Sequence, residues 1–138
     1  MVRRHSFTVP AVLLSAFVAL TVSFGGKIEG RYFPVVTDAI IIQTEPDGDT
    51  WTRFWGSFVK RRDCDFDGIA WRLHIGENTA IADFRFDEGV ILRSPGGEPF
   101  GPWLVQLSTE QLMTRASATV FHRCHWLWRT ETVFYTAD

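Results

Sequence analysis

Lysine is almost missing from this 138-residue chain, which carries two against twelve arginines, and cysteine, methionine and tyrosine also occur only twice each. Neither sign of charge dominates, since 14 basic residues stand against 16 acidic ones. Setting aside Arg3 and Arg4, which precede a long apolar run, leaves 12 against 16, a net charge near −4. Phosphate binding needs a clustered basic face, so nucleic acid is not an expected partner. The one basic cluster, Lys60-Arg61-Arg62, runs straight into Asp63, Asp65 and Asp67 and reads as a solvated strand end beside an acidic turn. Catalytic signatures are scarce as well: there is no Gly-x-Ser-x-Gly elbow, no Cys-x-x-Cys-His and no zinc-ribbon spacing. Nothing singles out a pair of carboxylates for glycoside chemistry. The chain is expected to be non-enzymatic and to need no cofactor. Its length admits one globular unit and excludes large enzymes and multidomain receptors, and its composition excludes collagen-like chains and coiled coils.

What is plentiful is apolar surface, 46% of all residues, and an uncharged stretch runs from Ser6 to Gly26. Arg3, Arg4 and His5 before it supply the positive flank read by the secretion machinery. As a helix, its 21 residues would reach about 31 Å, close to the roughly 30 Å hydrocarbon core of a bilayer. A retained inner-membrane anchor through residues 7–24 fits that length. Cleavage after Ser23 or Gly25, releasing a secreted or periplasmic domain, is the alternative. Gly25 and Gly26 read as the helix stop, giving an N-terminal segment 1–26 and an exported domain 27–138. In either case the positive flank places the domain on the periplasmic side. The tetrapeptide Ile28-Glu29-Gly30-Arg31 coincides with a protease recognition sequence and is read as a chance match.

Beyond residue 27, short period-two segments alternate with Gly, Pro and Asp clusters, which is an all-β pattern. Strands are expected at Thr37–Thr44, Thr50–Arg61, Phe66–Ile75, Thr79–Phe86, Trp103–Leu107, Ser117–Cys124 and Trp126–Tyr135, with a short continuation at Val90–Leu92. Ser94–Pro99 reads as a loop, because proline cannot donate to a ladder. Thr109–Thr114 is the single helical candidate. About seven strands at this spacing predict an immunoglobulin-like β-sandwich.

Cys64 and Cys124, both in the exported part, predict a disulfide that closes a loop of about 61 residues and stabilises by roughly 4 kcal/mol at most. Asp63, Asp65 and Asp67 followed by Gly68 match the opening of a calcium loop, but His74 stands where the closing Glu would be. His122 and His125 flank Cys124 and could ligate a borderline metal, although a strand would point them to opposite faces. These five residues are the candidate metal ligands. The six tryptophans exceed ordinary usage. Trp51 and Trp55, about 13 Å apart on one strand face, and Trp103, beside a Gly- and Pro-rich loop, are candidates for stacking sugars, which makes a glycan or peptidoglycan a possible ligand.

Three segments, Arg62-Asp63-Cys64-Asp65-Phe66 with Trp71, Gly101-Pro102-Trp103, and His122-Arg123-Cys124-His125-Trp126-Leu127-Trp128, resemble those of short single-span proteins encoded by tailed phages, prophages and proteobacteria. The resemblance implies the same layout, one apolar segment followed by a small domain, and implies no activity. The arginine-over-lysine bias fits a GC-rich bacterial or phage genome. The expected function is that of a membrane-anchored accessory that binds another protein in an envelope or phage-lysis complex. A glycan-binding module and a metal-binding periplasmic protein are the alternatives.

Overall fold

The computed structural model describes residues 8–87 and 93–137. The positive flank and the short strand expected at Val90–Leu92 lie outside them. Helix α1 (Thr8–Tyr32) is followed by strands β1 (Val36–Asp47), β2 (Trp51–Lys60), β3 (Asp65–Ile75), β4 (Asn78–Ala82), β5 (Phe84–Phe86) and β6 (Gly96–Val105), then helix α2 (Thr109–Thr114) and strands β7 (Ala116–Arg123) and β8 (Thr130–Thr136). The strands form two antiparallel four-stranded sheets, ordered β1-β2-β6-β5 and β4-β3-β7-β8.

The expected sandwich is borne out, with eight strands among the described residues. Strand β2 has the alternation that a half-buried strand requires: Thr52, Phe54, Gly56 and Phe58 are buried, while Trp51, Arg53, Trp55 and Ser57 are turned away and only partly covered. Facing them, Trp71, Ala118, Val120 and Phe134 close the core from the other sheet. Phe54 meets the fully buried Trp71 edge-on at 5.2 Å, and Phe58 meets Phe134 at 5.7 Å. Such edge-to-face contacts add to simple area burial. The order of strands does not establish an immunoglobulin topology. Immunoglobulin domains bridge their two sheets with a disulfide. Here Cys64 precedes β3 and Cys124 follows β7, two neighbours in one sheet.

Three expectations need correction. The segment Thr79–Phe86 is two strands: the chain leaves one sheet after Ala82 and joins the other at Phe84. The expected loop Ser94–Pro99 is largely β6, which begins at Gly96 and pairs Pro99 with Ser57. There β6 has only β2 as a ladder partner, the edge setting in which a strand tolerates proline. Trp126 to Arg129 form the turn between β7 and β8. The short helix lies where it was expected, started by a capping box in which the Ser108 hydroxyl accepts from the Gln111 amide and the Gln111 side chain accepts from the Ser108 amide.

Helix α1 differs most from expectation. It passes through Gly25 and Gly26 and ends at Tyr32, so these glycines do not stop it. Its first two-thirds is apolar all round and exposed, and its last turns lie against β8.

Candidate functional site

The junction between α1 and the sandwich is built on three glycines. Gly25, Gly26 and Gly30 are buried on one side of the helix. The Trp128 ring lies over Gly25, and a Cβ on Gly26 or Gly30 would run into the carbonyl oxygens of Arg129 and Glu131. Small residues spaced four apart let a helix approach another backbone this closely.

Between those glycines stands Glu29, whose side chain is 13% exposed and gathers four partners. Its Oε1 pairs with Arg62 Nη2 at 2.8 Å. Its Oε2 accepts from Trp128 Nε1 at 2.8 Å and Thr130 Oγ1 at 2.9 Å, and lies 2.9 Å from His125 Nε2. The Leu127 amide donates to His125 Nδ1, so the neutral ring carries its proton on Nε2 and donates it to Glu29. Arg62 reaches further and donates to the Phe33 carbonyl at 3.0 Å. Charge-assisted bonds of this kind are the stronger class. They tie the helix end, the connector to β1 and the β7–β8 turn into one unit. Beside this network, Trp126 is 88% exposed and Leu127, Ile28, Tyr32 and Phe33 are also uncovered.

A second feature is a cavity of about 270 Å³ between the sheets. Its walls include Phe58, Phe66, Phe86, Trp103, Val120 and Phe134, and its polar lining is Lys60, Arg93 and His122 together with the carboxylates Asp63 and Asp65. His122 is 3% exposed and packs edge-on to Phe66 at 6.0 Å. Burial, then the charges of Lys60 and Arg62, lowers its pKa from 6.5 to about 4, so it is neutral at pH 7. Among the described residues, its buried Nδ1 has no hydrogen-bond partner.

The residues singled out from sequence are brought together only in part: Asp63, Cys64, Asp65, Trp103 and His122 line the cavity. Cys64 and Cys124 are joined, their Cα atoms 4.6 Å apart. Trp103 is not displayed by a loop: it packs into the core, stacked on Phe100 at 4.2 Å. Trp51 and Trp55 share the outer face of β2 as expected, but the Arg85 guanidinium lies 4.2 Å over the Trp51 ring. Of the candidate metal ligands, Asp63, Asp65 and His122 line the cavity, whereas Asp67 and His125 lie elsewhere. Asp63 pairs with Lys60, Asp67 with Arg123 and Arg129, Asp65 is exposed, His122 lines the cavity and His125 faces Glu29. Among the described residues no group of three or more His, Cys, Asp and Glu could hold a metal ion. The spacing Ser57-x-x-Lys60, used elsewhere for acyl transfer, lies on β2, where positions three apart face opposite sides, so it forms no dyad.

Sequence reasoning missed Glu29, which lies within the tetrapeptide set aside as a chance match. Its signal was a lone carboxylate between two glycines just beyond an uncharged apolar run. No family model, curated protein or solved structure matches the chain.

Proposed function

We propose that this is a non-enzymatic accessory protein held at the periplasmic face of the inner membrane, where its domain binds another protein of an envelope or phage-lysis complex. The observation that carries the reading is the junction at Glu29. Helix α1 has the length and composition to cross a membrane, and its last turns are locked to the sandwich by Arg62, His125, Trp128 and Thr130. A helix tied in this way transmits its orientation to the domain, which suits a subunit positioned against a partner better than a freely diffusing catalyst. The disulfide supports an oxidising compartment. The exposed Trp126 and Leu127 belong to the turn that grips the helix end, and tryptophan favours the bilayer interface.

Fractionation followed by purification in mild detergent tests this. The full-length chain should stay in the membrane after an alkaline wash, its domain should be open to protease added to the periplasm, and a partner should co-purify at stoichiometric yield. Brominated lipids should quench Trp126 emission, read as the difference from Trp126→Phe. A soluble chain beginning after Ser23 or Gly25, or recovery only as a lone monomer, would overturn the proposal.

A further inference from the structure

The inter-sheet cavity takes no part in the junction, and its chemistry is distinct. We propose that it binds a small carboxylate-bearing amphiphile, with an apolar body of about ten carbons against the aromatic walls and an acid head at Lys60, Arg93 and His122. This goes beyond the accessory role and does not depend on the chain being anchored.

Size and lining fix the apolar part. An apolar cavity of roughly 150 Å³ accommodates a benzene ring, so in proportion about 270 Å³ has room for a fused ring pair or a medium acyl chain. Phe58, Phe66, Phe86, Trp103 and Phe134 offer such a body ring faces and edges.

Donor arithmetic fixes the head. The Lys60 side chain is 10% exposed; its ammonium donates to the Arg93 carbonyl at 2.5 Å and lies 3.5 Å from Asp63, a carboxylate 82% exposed at the rim. The Arg93 side chain is 15% exposed; Nη1 donates to the Pro99 carbonyl and lies 3.4 Å from Glu98. The Lys60 ammonium has a third donor beyond its two acceptors, and among the described residues the buried His122 Nδ1 has no partner. Unmet polar groups in a dry site are costly. Asp63 and Glu98 already pair with the two cations, so the choice of head rests on acceptors rather than on net charge. A carboxylate brings two acceptor oxygens, an alcohol brings one, and an ammonium head brings none.

The test uses the full chain in lipid nanodiscs and equilibrium dialysis against labelled decanoate, 2-naphthoate and decanol, with empty discs of the same lipid as the reference. One equivalent of decanoate or 2-naphthoate per chain should be retained above the reference, and which acid binds tells an acyl source from an aromatic one. Lys60→Met should weaken the acid roughly tenfold, the effect of one charge-assisted bond, and leave decanol unchanged. Val120→Phe, which fills the cavity, should abolish retention. If that variant loses its near-ultraviolet circular dichroism, Ile69→Phe takes its place, since Ile69 lines the same space. No retention above empty discs, undiminished retention in the filled variant, or decanol binding as tightly as decanoate would overturn the proposal.

Discussion

Acidification should unfold this domain through His122, and the size of the effect follows from its surroundings. The ring is buried beside Lys60 and Arg62, and its pKa stands at about 4 in the folded chain against 6.5 in the unfolded one. Between those values the unfolded state binds a proton that the folded state does not, so stability falls as pH falls. The contribution is fully present above pH 6.5 and is lost as pH drops toward 4. From pH 7 to pH 5 the loss is about 2 kcal/mol, approaching about 3 kcal/mol below pH 4. Urea unfolding of the full chain in micelles, followed by near-ultraviolet circular dichroism at a series of pH values, measures it. His122→Phe keeps an aromatic ring against Phe66 and removes the unpartnered nitrogen, so at neutral pH its stability should lie within about 1 kcal/mol of the parent. Its stability between pH 7 and pH 5 should then be flatter than the parent's by that same 2 kcal/mol. Comparing the two slopes cancels whatever His74 and His125 contribute. Parallel slopes in parent and variant would refute the reasoning.

Glu29→Ala should cost about 2 to 3 kcal/mol, because Arg62, His125, Trp128 and Thr130 lose one shared acceptor; Glu29→Gln, which keeps one acceptor oxygen, should cost less, and chemical denaturation ranks the pair. Gly30→Val should push α1 off β8 at a cost of roughly 1 to 3 kcal/mol, seen as faster tryptic cleavage at Lys27 and Arg31, and an unchanged digestion pattern would count against close packing there. Replacing Cys64 and Cys124 together by Ala should lower stability by up to about 4 kcal/mol, the chain-entropy figure for a bridge spanning 60 positions. Free thiols in protein kept from reductant would contradict the bridge itself.

The sequence by itself determined the parts of this protein that rest on local pattern. The aromatic and β-branched residues of Thr50–Arg61 between turn signals predicted a strand with aromatic residues on both faces, and Ile69, Trp71, Leu73 and Ile75 alternating with Ala70, Arg72 and His74 predicted one with a single dry face. Thr109–Thr114 stood out as the one helical candidate, and the structure starts it with the local Ser108–Gln111 capping box. Two cysteines left one intramolecular pairing. What tertiary structure alone decided is where non-local surfaces meet. Gly25 and Gly26 read as the helix stop by local propensity, yet with Gly30 they let the helix continue in close contact with the turn before β8 and with β8 itself. Glu29 and Arg62 stand far apart in the chain, and no spacing rule joins a carboxylate at a helix end to a guanidinium after β2 and an indole before β8. Trp103 looked displayed because Gly and Pro precede it, but β6 turns its ring inward against Phe100. The cavity was likewise invisible: Lys60, Arg93 and His122 line one space only because β2 and the segment entering β6 lie across the sandwich from β7. Local propensity is set by neighbours within a few positions, whereas a site is set by how two sheets and a helix pack, a choice made by burial of the whole chain.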